Sequence, residues 1–549
     1  MVKNRKRSRF FTVCKLAVIA MLVVSGCSGG TSDADIGVAK FEQDIGQPQN
    51  GGTITVGYPQ EPDTFDVHKS NGASVTDEIA GLMGGTLVYM DPTTHEIKPH
   101  LAESYTITPD GKTWTFKIRS GITFHDGTLL TAKTYKETFD RIFDPKTKAT
   151  SVLSTLGAVK RVKAPDDQTL ILELKEPFAP LLINLSIPGW LQPLSMKAIE
   201  KSGTDYGRNP VGVGPWKFES WQPGQTVTLT RNDQYKWAEP YYENRGQVRP
   251  DKLVFKFVID KQTRLAALDS GSIDIAINVP AKDIKKYRSS EEFEVIERMR
   301  SGIGLLLEMN MRTEALQDVE VRKALNMAIN KEAIIQAALQ GEGEIAHSFL
   351  PPTFFGYDKA VEELDYKYSQ EEAKKLLDAA GWKMGADGTR EKNGKKLSLT
   401  LLSSESQAKE TQLVQAMLGE VGIKVTINNM DPAAMLDAAS KGQFDLTVMS
   451  YTDVDPDIFY LFFHSSQIGV FNDSAINDPK LDELLVKGRT TVDLEARKQV
   501  YSEVQKYMIE QAYLVPIYID KQFIVVNRRV KGLKLSPDRL LYTDTWVAQ

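Results

Sequence analysis

Cysteine is nearly missing from this 549-residue chain: Cys14 and Cys27 are the only two, and the 522 residues after them have none. That excludes a disulfide framework, a thiolate-held metal and a cysteine nucleophile from the body of the protein. Histidine is sparse too. His68, His95, His100, His125, His347 and His464 include no pair spaced four apart and no H-E-x-x-H, so the helical zinc-protease arrangement is absent. No G-x-S-x-G elbow occurs, and Gly341-Glu-Gly343-Glu-Ile-Ala346 follows a helical pattern rather than a strand, which denies it the dinucleotide-binding context. A glycosidase-type pair of carboxylates stays open, because its partners need not be neighbours in sequence. Positive charge is also short. Residues 1–26 hold six basic side chains and no acid, leaving 61 basic against 72 acidic in the remainder, a net charge of −11. An acidic body argues against general nucleic-acid affinity and favours cationic ligands.

What is present starts with an address. A basic segment, Met1 to Arg9, precedes the nine-residue apolar run Leu16 to Val24. Nine residues fit a signal-peptide core and are about half of what spans a bilayer. The run ends in Val24-Ser25-Gly26-Cys27, which resembles a bacterial lipobox with Cys27 as the lipidated residue. Several acyl chains, at about 0.8 kcal/mol per buried methylene, hold firmly. Ser28 to Gly52, rich in Gly, Ser, Asp and Gln, reads as a disordered tether of roughly 25–30 Å.

At about 150 residues per domain the chain should hold three to four units. Ile54 and Val56 begin a strand, followed by a loop through Tyr58, Pro59, Glu61 and Pro62, and Ser74 to Leu87 reads as a helix. In Lys98 to Asp144, Pro109-Asp110-Gly111 supplies a turn. Trp114, Phe116 and Ile118 then alternate with Thr115, Lys117 and Arg119, the period of a half-buried strand. Thr131 is placed to cap a helix bearing Tyr135, Phe139 and Ile142 on one face. Pro177, Pro180, Pro188 and Pro193 exclude a long helix in their segment. Gly212 and Gly214 lack the Lys-Ser/Thr pair of a phosphate loop and read as a turn into strands at Thr226–Thr230 and Leu253–Asp260, the latter with Leu253, Phe255, Phe257 and Ile259 on one face. Asp318 to Ile329 has a helical apolar stripe, and Ser369 to Glu372 is a capping box. Strands at Leu397–Leu401 and Ile423–Ile427 flank a helix at Glu410–Leu418, a βαβ rhythm that implies a parallel sheet with helices on its faces. A helix over Val492–Met508 and two strands, Leu514–Tyr518 and Phe523–Asn527, end the chain.

Acidic residues cluster in Ser450-Tyr-Thr-Asp-Val-Asp-Pro-Asp-Ile-Phe459, directly after the apolar strand Phe444–Met449. The C-terminal end of such a strand is where open α/β sheets take ligands. The plain alternative is a solvated turn around Pro456 with Asp457 capping the next helix.

Four strings carry a family resemblance: LAESYTITPDGKTWTFKIRSGITFHDG from Leu101, NPVGVGPWKF from Asn209, TRLAALDSGSIDIA from Thr263 and DVEVRKALNMAINKEAII from Asp318. Together they resemble the family 5 extracellular solute-binding proteins, the oligopeptide-, dipeptide- and nickel-binding components of ABC importers, over roughly Thr53 to the C-terminus. Tyr105 and Leu129 depart from the usual Trp and Pro. The resemblance implies an α/β, two-lobed periplasmic-binding-protein-like fold (type II, large three-domain variant) with a cleft between the lobes. It places residues 53–298 in lobe 1 (53–78 and 209–298 its core, 79–208 an extra subdomain), 299–513 in lobe 2, and 514–549 in a return to lobe 1. It implies a monomeric receptor, not an enzyme, anchored by lipid on the extracytoplasmic face of the membrane, that binds an oligopeptide-like solute without a cofactor or metal and delivers it to ABC permease subunits. Oligosaccharides, opines, metal chelates and haem are the non-peptide alternatives, and a cell-surface hydrolase is the rival from another class. Carried over to this sequence, the ligand-binding residues are Tyr58 and Glu61 of the opening loop, Tyr451 in an aromatic role, and Asp453 or Asp455 pairing with the ligand's amino group. Short-peptide binders often add an Arg near residues 405–415; only Lys409 stands there, a point charge rather than a bidentate fork.

Overall fold

A computed structural model of the chain describes residues 46–549 except 71–73, 93, 301, 537–538 and 549. The apolar run Leu16–Val24, Cys27 and nearly all of the tether therefore lie outside the described residues.

The alternating stretch forms the strand Thr113–Ile118, with Trp114, Phe116 and Ile118 at most 1% exposed. Each such side chain contributes about 1.5–3 kcal/mol by leaving water. The strand is the second in a four-stranded antiparallel sheet with Ala102–Ile107, Thr169–Leu174 and Val159–Lys163. The helix Ala132–Phe143 covers it, burying Tyr135, Phe139 and Ile142. Thr131 accepts from the Thr134 amide while the Thr134 hydroxyl answers to the Thr131 amide, a complete capping box.

The main sheet has twelve strands and is mixed rather than parallel. Thr53–Tyr58 runs parallel to Lys252–Phe257, and Ser398–Ser403 runs parallel to Lys424–Asn429 through the helix Ala408–Glu420, the expected βαβ unit. Two expectations fail locally. The strand from Lys252 stops at Phe257, leaving Ile259 77% exposed, because Asp260 accepts the Thr263 amide and caps the helix Lys261–Asp269. The last two strands are one continuous strand, Leu514–Asn527. Its polar middle, Asp520-Lys521-Gln522, is held by cross-strand pairing to Gly343 and to Arg298–Met299 instead of turning. The first half of this strand pairs with Ile303–Met309 and the second with Phe293–Met299 and Ile275–Ala276, so it joins the two halves of the sheet.

Gly212 and Gly214 have a packing role. The helix Ser74–Met83 ends with carbonyls that need donors, and the Gly214 amide reaches the Met83 carbonyl at 2.8 Å. A Cβ on Gly212 would stand 2.0 Å from that same carbonyl oxygen, and one on Gly214 would stand 2.5 Å from the Leu82 oxygen. Gly212→Ala is therefore expected to push two backbones apart and cost about 1–3 kcal/mol, read as a lowered midpoint in urea unfolding. An unchanged midpoint would show that the contact is slack.

Candidate functional site

The strand Leu446–Tyr451 leads into residues 452–457 and the helix Ile458–Phe463. Three carboxylates leave this short loop, and the fold treats them differently. Arg497, fully buried, grips Asp455 with two hydrogen bonds of 2.6 and 2.8 Å. Arg489 grips Asp457 at 2.6–3.2 Å and lies over the Tyr460 ring. Asp457 is thus an ion-pair partner, and its side chain makes no helix cap. Asp453 has no cationic partner among the described residues. Its Oδ1 accepts from the amides of Val454 and Asp455 at 2.6 and 3.1 Å, and its Oδ2 has no hydrogen-bond partner among the described residues. Burial pushes its carboxyl up to about 6, with Asp455 and Asp457 adding to the shift.

Asp453 faces a cavity of about 170 Å³. One wall comes from the second half of the chain: Thr353, Phe354, Phe355, Asp453 and Val454. The facing wall comes from the helix end at Glu78–Gly85, from Tyr89, His95 and His100, from Tyr235 to Tyr242, and from Arg539 to Thr543. Its charged side chains are three carboxylates, Glu78, Glu239 and Asp453, against the single guanidinium of Arg539. A concave, largely apolar space with a few convergent polar groups is the usual form of a small-solute site.

Of the six residues expected to bind ligand, only Asp453 lines this cavity. Tyr58 is buried behind the wall and donates its hydroxyl to Glu78, which does line it; burial, then Glu78, push the phenol well above its ordinary value. Glu61 accepts from Trp221 Nε1 at 2.6 Å and from the Gly224 amide at 3.0 Å, which fixes its loop to a neighbouring hairpin. Tyr451 is 40% exposed and packs edge-on against Phe462, away from the cavity. Lys409 is exposed in the first turn of the helix Ala408–Glu420, also away from it. Asp455 is committed to Arg497. Sequence reasoning missed Glu78, Glu239, Arg539 and the tyrosines. One signal was available: Gln234 to Glu243 reads QYKWAEPYYE, four aromatics around a Pro-stiffened glutamate.

A mixed α/β chain in which one continuous strand joins the two halves of the main sheet, with a cavity walled from both halves of the chain, is a solute-binding protein in form. The sequence model for the bacterial extracellular solute-binding proteins, family 5, matches residues 96–469, and the chain belongs to that family. Among its relatives is the oligopeptide-binding protein AppA of Bacillus subtilis, 27% identical over 561 residues and covering all of both chains. The AppA structure in complex with a nonapeptide superposes with a TM-score of 0.70, covering 92% of this chain and 100% of that one at 27% identity. NikZ of Campylobacter jejuni in complex with Ni(L-His) gives 0.70 at 25% identity, with 89% and 97% covered. The dipeptide-binding protein of Escherichia coli K12 is 27% identical over 509 residues, 87% of this chain and 91% of that protein. The family consists of solute-binding proteins rather than enzymes. Among the described residues no helix is long and apolar enough to cross a membrane.

Proposed function

We propose that this protein is the receptor of an ABC importer for a short, amine-bearing, peptide-like solute. The halves on either side of the strand Leu514–Asn527 act as lobes that close over the solute, and Asp453 takes its amino group. The observation that carries this reading is the contrast within one loop: Asp455 and Asp457 each have an arginine, whereas Asp453, half-buried at the cavity, has none among the described residues. A carboxylate held there by two backbone amides is preorganised for an ammonium ion. Closure excludes water and strengthens that pair. The cavity, about 170 Å³ and lined largely by apolar and aromatic side chains, supports a small solute. A micromolar solute needs about 8 kcal/mol of net binding free energy, within reach of one shielded ion pair and apolar contacts.

The test is mass spectrometry of the solute that co-purifies under native conditions, followed by calorimetry with dipeptides. Recovery of a small primary amine that returns unhydrolysed supports the receptor. A neutral or anionic solute overturns the amine anchor, and turnover of the dipeptide overturns the non-enzymatic reading.

The same proposal includes a lipid anchor at Cys27 that holds the receptor on the extracytoplasmic side, near the permease it serves. Cys27→Ser is expected to move the protein from the membrane fraction to the medium or periplasm and to abolish incorporation of labelled fatty acid. Label retained on that variant would refute the anchor.

A further inference from the structure

Across the cavity from Asp453 the first half of the chain builds a second charged feature. Tyr89 and Tyr241 have ring centroids 5.6 Å apart at 54°, and Tyr241 and Tyr242 are 4.3 Å apart at 44°. Tyr89 also meets His100 edge-on at 6.5 Å. All four rings line the cavity, and so does Glu239 on the same segment as Tyr241 and Tyr242. Glu239 is only 15% exposed, and its one charged neighbour within 4 Å among the described residues is His100, whose Nδ1 stands 3.6 Å from the carboxylate. His100 Nε2 lies 3.1 Å from the Trp237 carbonyl, which can only accept, so Nε2 carries a hydrogen. Nδ1 also stands 3.3 Å from the Thr86 hydroxyl, which can donate to it, and among the described residues no Lys or Arg lies within 4 Å of the Glu239 carboxylate.

We infer that Tyr89, Tyr241, Tyr242 and Glu239 form a second cation subsite, an aromatic cage closed by a carboxylate, which takes an ammonium or guanidinium group on the side chain of the solute. Tyrosine faces attract a cation through their quadrupoles, most strongly where water is excluded, and the carboxylate adds a full charge. With Asp453 and Glu239 both lining the cavity, a dicationic solute meets both carboxylates where a monocation meets one. The preferred class is therefore a short peptide or amino-acid derivative with a lysyl- or arginyl-type side chain. This inference rests on the receptor reading above.

The experiment uses the full chain and two pairs of dipeptides, Lys-Ala and Ala-Lys, each against its norleucine analogue, which keeps the alkyl stem and lacks the charge. Calorimetry is expected to show at least one lysyl peptide binding about tenfold or more tighter than its analogue. Glu239→Gln is expected to bring that ratio within about twofold, and Tyr241→Leu to reduce it. Asp453→Asn is expected to weaken all four peptides alike. If all four bind and lysine confers no advantage, as when a protonated His100 already neutralises Glu239, the cage is refuted and the receptor stands. A lysyl advantage that survives Glu239→Gln also refutes it. If none of the four binds to the wild-type protein, cage and amine anchor both fall.

Discussion

Arg497→Leu is expected to cost about 3–5 kcal/mol of stability, because it leaves the Asp455 carboxylate buried without its partner. Arg497 is the more buried of the two and also donates to the Gly488 carbonyl at 2.9 Å, so from the helix Leu494–Glu510 it holds both the loop and the end of the helix Pro479–Thr490. Asp455→Asn should destabilise by a similar amount, now through an uncompensated guanidinium. Urea unfolding followed by tryptophan fluorescence measures both. The paired replacement Asp455→Leu with Arg497→Met should recover most of the loss, since a buried ion pair exchanged for apolar groups of similar volume is often neutral or better. Single variants within about 1 kcal/mol of wild type would show that the pair is solvated and would reopen Asp455 as a ligand group.

The sheet and helices were legible where burial follows a local period. Trp114, Phe116 and Ile118 alternate because one face of their strand is covered, and Val321, Ala324, Leu325 and Ala328 recur at helical steps because one face of Val319–Ala328 is buried. The strand Leu514–Asn527 was read as two because its middle is polar, and only non-local partners hold that middle extended. Ile259 fits the alternation of its strand, yet the chain leaves the sheet two residues earlier for the cap at Asp260.

The site divides in the same way. Three carboxylates after an apolar strand pointed to the loop at 453–457, but which of them faces the solute depends on Arg489 and Arg497, which lie 32 and 42 residues from the aspartates they bind. No spacing rule announces such a choice. Glu239 and its tyrosines were harder still. Their segment is tied to the turn at Gly212–Gly214 by Asn232 and Trp237, which donate to the Gly214 and Val213 carbonyls, and that turn packs on the helix end at Met83, tertiary contacts rather than a pattern. Glu61 shows the converse, a residue placed at the site by resemblance whose hydrogen bonds are already taken by Trp221 and Gly224.

Asp453→Asn is expected to weaken binding of an amine-bearing dipeptide by two to three decades, because the ammonium would be buried without its charge partner, at a cost of about 3–5 kcal/mol. Stability should move the other way. The Asp453 carboxyl titrates near 6 in the folded protein because burial penalises the ionised form, and an unfolded aspartate titrates near 4. Between roughly pH 4 and 6 the folded state therefore holds the extra proton, and the stability of the unliganded protein falls as pH rises through that window, by about 3 kcal/mol in all. Asparagine removes that slope, so the variant should be as stable as wild type or more stable at pH 7 and should lose ligand all the same. Binding has the opposite pH dependence. The pair requires an ionised carboxylate and a protonated amine, so the wild-type affinity should peak near pH 7, fall roughly tenfold per unit below 6 with a proton released on binding at pH 5, and fall again above about pH 8 as the α-amino group deprotonates. Calorimetry in two buffers of different ionisation enthalpy detects that proton. A structural aspartate would lose stability and affinity together on substitution and release no proton, and either result would remove Asp453 from the binding site.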